Sequence, residues 1–406
     1  MPTGSDTFDL CVVGAGPVGG TLACLAATAG LRVAIIDQAP LPPMEHPEFD
    51  GRAYAVAAGS KRLLERAGIW TRLPQPAGEI VDIRVTDGRP GRPPSPLSLR
   101  FALTETALAE PGAAFGWMVE ARSLRVALNH TLHETAGVTV LAPAAAEIHR
   151  AADKATITLH DGRRLAAALV AAADGRESRL RREAGIPVTR FTYDQTAIIT
   201  AITHEMPHNG VAREHFLPAG PFAQLPMADD EHGNHVSAIV WSEPPAVAAH
   251  CLALDDNAFG AKIARRLDPA LGAIRPVGHR YSYRLSALHA HRYHDTRLVL
   301  VGDAAHGIHP IAGQGLNLGF RDLGALVPLL HAAHQAGQDI GAADRLAAYQ
   351  RQRRPDNLAM LAVTDGLDRL FRARNPLLRL ARDMGMAGVD RAAPLKRFFM
   401  RQAMGV

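Results

Sequence analysis

Phe8-Asp9-Leu10-Cys11-Val12-Val13-Gly14-Ala15-Gly16-Pro17-Val18-Gly19 is the stretch on which the fold turns. A short apolar run ends at a glycine, the three glycines have G-x-G-x-x-G spacing, and Gly19 to Ala29 then reads as a helix. The run Val33 to Ile36, closed by Asp37, predicts a second strand, so the chain opens as a βαβ unit. Gly14 permits the tight turn, Gly16 lets backbone approach a pyrophosphate, and Gly19 lets the helix pack closely on the sheet. The helix N-terminus adds unpaired N–H groups and a partial positive charge. Asp37, 18 residues beyond Gly19, is placed to accept hydrogen bonds from an adenosine ribose and argues against a 2′-phosphate there. Strand, helix, second strand and acid together favour a dinucleotide site over a glycine turn that merely packs. This unit alone leaves NAD and FAD open.

Further along, Ala53 to Ala67 reads as a helix, and Gly88-Arg89-Pro90-Gly91-Arg92-Pro93-Pro94 as loop. A helix from Arg122 to about Thr135 leads into strands at Val138 to Leu141, Ala155 to Leu159 and Leu169 to Ala173. From about Arg190 the texture changes to short alternating strands with Pro and Gly turns, interrupted by a helix near Asn257 to Leu267. Leu298 to Val301 then returns the chain to its first domain. The expected class is α/β. A Rossmann-like nucleotide-binding domain (1–189, with minor excursions to the substrate side, and 297–366) carries an inserted sheet-rich substrate domain (190–296) and a basic helical C-terminus (367–406).

At 406 residues the chain is long enough for two cores. A net charge of +4, from 44 basic and 40 acidic residues, gives no reason to expect nucleic acid as a partner. The excess is local: from Leu367 to Val406 nine Lys or Arg face three Asp, a surplus of six that leaves about −2 for the rest. Cys11, Cys24 and Cys251 form no paired spacing, as expected in a reducing compartment. No signal-peptide pattern and no apolar run of spanning length is seen, so the expected location is cytoplasmic, peripheral at most to the inner face of a membrane.

Two later segments decide the cofactor. Arg297-Leu-Val-Leu-Val-Gly302-Asp303-Ala-Ala-His306-Gly-Ile-His309-Pro310-Ile-Ala-Gly313-Gln314-Gly315-Leu316-Asn317 is a strand, an acid at its tip, a loop and a helix start, where α/β sheets bind ligands. This stretch resembles the GD motif of the FAD-dependent aromatic hydroxylases, specifically their ubiquinone-biosynthesis branch. The resemblance implies FAD, with Asp303 beside Gly302 at the ribityl chain, Pro310 beside the isoalloxazine ring, and Gly315-Leu316-Asn317 at its pyrimidine end. Asp174-Gly175, ending another predicted strand, is a strand-to-helix turn in its own right and matches the family's middle motif. Arg52 and Arg122 match family arginines, the latter near the diphosphate, where a forked guanidinium suits phosphate oxygens; the alternative for each is a surface arginine. Glu120 is followed by Ala121 where the branch usually has asparagine. The resemblance continues through Thr364 to Phe371 and Pro394 to Gly405, features of the ubiquinone branch.

The implied reaction is hydroxylation of a polyprenylated phenol by O2 through a flavin hydroperoxide, with NAD(P)H or another electron donor. The cofactor carries the hard chemistry, so no catalytic triad is expected. His306 and His309 are the candidates for proton transfer, against a role in packing or holding loop backbone. His289, His291 and His294 fit no zinc spacing, and no metal is expected. In the tail, Leu367, Leu370 and Phe371, and again Leu395, Phe398 and Phe399, make apolar stripes beside arginines. The stripes either dock on the domain or meet a membrane surface or another ubiquinone-biosynthesis protein. Three rival functions remain: a nicotinamide dehydrogenase, a non-catalytic flavin- or lipid-binding partner, and an FAD monooxygenase acting on another aromatic compound.

Overall fold

The computed structural model of the protein describes residues 6–41, 49–92, 98–103, 113–309, 313–372, 400, 404 and 405. The opening unit is as expected: β1 (Asp6–Val13), α1 (Pro17–Thr28) and β2 (Val33–Ile36). There follow β3 (Ala53–Ala57), α2 (Ala58–Arg66), β4 (Gly78–Ile80), β5 (Asp82–Asp87), β6 (Leu99–Ala102), β7 (Gly116–Glu120) and α3 (Ala121–Glu134). Four strands, β8 (Val138–Leu141), β9 (Ala146–Arg150), β10 (Ala155–Leu159) and β11 (Arg164–Ala172), precede the short α4 (Arg179–Glu183). The second half holds β12 (Val188–His204), β13 (Val211–Leu217), β14 (Gly220–Pro226), β15 (His235–Glu243), α5 (Pro245–Leu252), α6 (Asp256–Ala264) and β16 (Ile274–Ala290). The chain closes through β17 (His294–Asp295), β18 (Leu298–Leu300) and β19 (His306–Gly307) into α7 (Gln314–Gln335) and α8 (Ala343–Arg372).

One sheet runs β17-β18-β11-β1-β2-β8, parallel at its centre, with β10 and β9 attached beside β11. Leu10, Val12, Val33, Ile35, Leu169, Val170 and Val299 are fully buried, as strands covered on both faces require. Small residues on α1 bring it onto α3: a Cβ at Gly20 would lie 2.8 Å from the Leu128 side chain. The second sheet runs β19-β16-β12-β15-β14-β13-β5-β6, and its centre is the antiparallel pair of seventeen-residue strands β12 and β16.

One feature departs from the sequence reading. Residues Ala53–Ala57 are a strand, and the helix starts only at Ala58. Tertiary contacts override the helical pattern there: β3 pairs antiparallel with β7, and the Asn317 amide bonds to the Ala57 N–H (2.9 Å) and the Ala55 carbonyl (2.9 Å). Within 1–189, where excursions to the substrate side are expected, β5 and β6 belong to the second sheet because β5 pairs in parallel with β13. The helix α5 was also not anticipated, although Pro244-Pro245 marks its start.

Candidate functional site

Gly14 has φ of 100°, and an added Cβ would overlap the Ala173 carbonyl at the end of the β11 strand. At Gly19 a Cβ would overlap the Gly14 carbonyl. These two glycines are thus required by packing, whereas a Cβ at Gly16 would meet nothing within 4 Å. Gly16 is also the N-cap of α1, has no side-chain cap, and is followed by Pro17. The first-turn amides therefore lack the protein acceptor that a capping side chain supplies. Asp37 braces this turn: its carboxylate accepts from the Ala15 N–H (2.6 Å) and the Ala39 N–H (2.8 Å).

The second edge lies opposite. Gly302–Ala304 forms a tight turn after β18, and Asp303, half exposed, has a carboxylate oxygen 3.7 Å from Arg176 Nε. Gly313 adopts a left-handed conformation (φ 62°) as the N-cap of α7, again without a side-chain cap. At Gly315 and at Gly175 an added Cβ would also meet nothing within 4 Å. Asp174 caps α4 by accepting from the Arg179 (2.8 Å) and Leu180 (3.2 Å) amides, while its buried Oδ1 has no hydrogen-bond partner among the described residues. Gly16, Gly175, Asp303, Gly315 and Leu316 line one cavity. Open backbone at three glycines, two helix N-termini without side-chain caps and an orphaned acceptor fit an elongated ligand with an anionic middle, as FAD is.

Other expected site residues lie elsewhere. Asn317 is buried and faces away from the cavity, tying α7 to β3 and to Ser60 Oγ (2.8 Å). Arg52 pairs with Asp50 (2.7 Å) and stacks over Tyr281, which holds its guanidinium above its ordinary range. Arg122 pairs with Glu120 (2.6 Å) over the Phe49 ring. Neither arginine is among the described residues lining the cavity. Nor is His306, whose Nε2 lies 2.6 Å from Asp322 Oδ2 in a buried network. Asp322 also accepts from the Gly302 N–H (2.9 Å) and Arg353 Nε (3.0 Å), so this network supports the Gly302-Asp303 turn from behind. His309 is fully buried, with Nε2 3.3 Å from Gln195 Oε1 and its ring edge-on to Tyr193. Of the upstream histidines, His289 sits 3.3 Å from Tyr293 and burial depresses its pKa to about 4, while His291 bonds to Thr189. Pro310, Leu395, Phe398 and Phe399 lie outside the described residues.

The cavity has a volume of about 1060 Å³, at the upper end for a ligand pocket, and runs from the glycine turn to the face of the second sheet. Its far wall is apolar: Ile83 and Val85 from β5, Phe216 from β13, Leu225 from β14 and Val240 from β15. The end of α8 closes it with Leu367, Leu370 and Phe371, the last stacked on Phe216 at 3.7 Å. Met400 adds to this lining.

Three polar residues of that wall, Arg213, Glu214 and Ser242, escaped the sequence reading. Glu214 alternates with Ala212 and Phe216 on the cavity face of β13, between Val85 and Ala223 on the adjoining strands. No described residue forms a hydrogen bond or ion pair with its carboxylate, and burial pushes its pKa up to about 7. Ser242 is 1% exposed, and its Oγ has no partner among the described residues. The available signal was an acid at an inward position of an otherwise apolar alternation, which only the strand register makes readable.

Comparisons with known proteins agree with this geometry. A family model described as FAD binding domain matches residues 7–364. The ubiquinone hydroxylase UbiL of Rhodospirillum rubrum is 47% identical over 398 residues, covering 98% of this chain and 89% of that protein. The 3-demethoxyubiquinol 3-hydroxylase of Escherichia coli is 32% identical over 406 residues, with 98% of each chain covered. Among solved structures, p-nitrophenol 4-monooxygenase PnpA of Pseudomonas putida shares the fold, with a TM-score of 0.77 at 20% identity and 98% of each chain covered.

Proposed function

The chain belongs to the FAD binding domain family as an FAD-dependent aromatic monooxygenase, and from that premise we propose that it hydroxylates the ring of a polyprenylated phenol in ubiquinone biosynthesis. The observation that carries this reading is the single cavity joining the glycine cradle to a large apolar chamber. Beyond the part that FAD would fill, the lining is apolar, which suits a prenyl chain better than a small polar phenol. The hydroxylases of Rhodospirillum rubrum and Escherichia coli, named for ubiquinone and demethoxyubiquinol, support the substrate class.

FAD, when bound, supplies reduction and the activation of O2. The amides opening α1, beside Gly14, Gly16, Pro17 and Gly19, would hold its phosphates, and Asp37 would accept from the adenosine ribose. Gly175 and Asp303 would meet the ribityl region, and the N-terminus of α7 at Gly315 and Leu316 the polar end of the ring. The apolar wall excludes water from the reacting ring, which strengthens every polar interaction left inside. NAD(P)H or another donor would supply electrons. The basic stretch after Leu367 is proposed to bring the protein to an anionic membrane surface where prenylated substrates reside.

The test is complementation of bacterial strains each lacking one ring-hydroxylation step, with accumulating quinone intermediates identified by mass. Rescue of one step is expected; rescue of none would count against the ubiquinone assignment. Purified protein should be yellow and consume O2 in a substrate-dependent way. A merely flavin-binding partner would be yellow without that consumption.

A further inference from the structure

An acid with no partner, on an apolar wall, is an unfavourable arrangement for the fold and calls for a role in the site. Glu214 is such a group. Its neighbours across the sheet are Val85 and Ala223, followed by Val240, none of which carries a side-chain donor for its carboxylate. The other charged groups near it are engaged elsewhere. Arg213, next in sequence, also lines the cavity, but its guanidinium is bonded to Asp268 (3.1 Å) and Gln224 (3.1 Å). On α8, Asp365 pairs with Arg369 and Asp368 lies near His309 and Gln195. Across the cavity Arg176 and Asp303 face each other, and Tyr54, whose hydroxyl is held protonated by burial, also lines it. Among the described residues, a ring between the cradle and the second sheet would therefore meet one unpaired carboxylate, that of Glu214. Ser242, two strands away on the same wall, has a hydroxyl without a partner among the described residues.

We propose that Glu214 is the catalytic base that takes the proton of the substrate's ring hydroxyl. This rests on the phenolic substrate proposed above. In the step, the phenol O–H bond breaks and an O–H bond forms on the Glu214 carboxylate. The electron pair stays on the phenol oxygen and enriches the ring for attack by an electrophilic oxygen; nothing is oxidised or reduced. A base whose affinity for protons is raised by burial is suited to this transfer near neutral pH.

The test uses FAD-loaded protein and a phenol carrying a two-isoprene tail. Before any reductant is added, ultraviolet difference spectra report how much of the bound probe is phenolate; single turnovers then report ring hydroxylation across pH. In the wild-type protein, phenolate fraction and rate are expected to rise together through one ionisation near neutrality. In Glu214→Gln the phenolate band is expected to vanish at neutral pH and hydroxylation to fall about 100-fold or more, with FAD content and probe affinity kept. A Glu214→Gln protein that keeps both within about threefold overturns the proposal. Wild-type protein provides an arm independent of that variant's folding: the methyl ether of the probe has no proton to give and should bind without being hydroxylated. Turnover of the ether at the parent's rate overturns the base. Wild-type protein that neither binds nor hydroxylates the phenol instead overturns the substrate reading, and the base with it.

Discussion

At the scale of residues, the glycines of the first turn differ in what they tolerate. Gly19→Ala places a methyl against the Gly14 carbonyl, so a loss of about 1–3 kcal/mol or more is expected, read as a lower Tm of the FAD-free protein. Gly16→Val meets open space, so the FAD-free Tm should hold while FAD affinity falls at least tenfold, about 1.4 kcal/mol, by titration of flavin fluorescence. Asp322 makes a third case. Burial raises its pKa, but its contacts with His306, Arg353 and the Gly302 amide outweigh that and hold it below the usual carboxylate range. Its contribution to stability is therefore present above the unfolded carboxyl pKa and is lost as pH falls through the lower folded value. Asp322→Asn should cost about 3–5 kcal/mol at pH 7 and progressively less in acid, by thermal melts across pH. Glu214 has the opposite sign: its raised pKa gives stability that is full below about pH 4.5 and is lost as pH rises through about 7. Glu214→Gln should flatten that fall.

At the scale of elements, the phosphate turn was legible in the sequence because every part of it is local. A strand, a glycine spacing, a helix and Asp37 lie within one short stretch. The split of residues 53–67 into β3 and α2 was not, since it depends on hydrogen bonds from Asn317, whose position only the fold supplies. For the same reason the sequence could not show that the side chains of His306 and Asn317 hold the loops beside the cavity, the alternative already open for His306. The first tail stripe is resolved differently from its name. Leu367, Leu370 and Phe371 are the last turns of α8, with Phe371 buried against Phe216 and Leu370 at the cavity mouth. Phe371→Ala should cost about 3–5 kcal/mol and loosen the end of α8, seen as faster proteolytic nicking there and a higher KM for long prenyl chains.

At the scale of the molecule, two sheets share one cavity, and the parallel pairing of β5 with β13 is what joins the halves of the substrate wall. The sequence places the inserted domain at 190–296 with excursions from 1–189, but alternation shows strands and not their partners, so it could not say which strands make those excursions. The end of the chain returns to the same place: Met404 is buried in the cluster that includes Ala58 and Met118, and Gly405 approaches Gly59 so closely that a Cβ there would overlap its carbonyl. Deleting residues 394–406 should weaken binding to anionic liposomes, as the membrane reading requires, with normal flavin content; unchanged lipid binding would sink that reading. Because Met400 lines the cavity and Met404 packs in this cluster, the deletion should also lower affinity for the prenylated substrate.

The β5–β13 pairing bears on how the protein is made. On the ribosome β5 emerges long before β13, and the first sheet waits still longer for β18 to pair with β11. During that interval β5 exposes a strand edge and apolar side chains, a hazard shared by long-range sheet topologies. Because the cradle is lined by Gly16 from the start of the chain and by Asp303 and Gly315 from near its end, flavin acquisition should follow release of a nearly complete chain, and supply of FAD during expression should govern how much of it escapes aggregation.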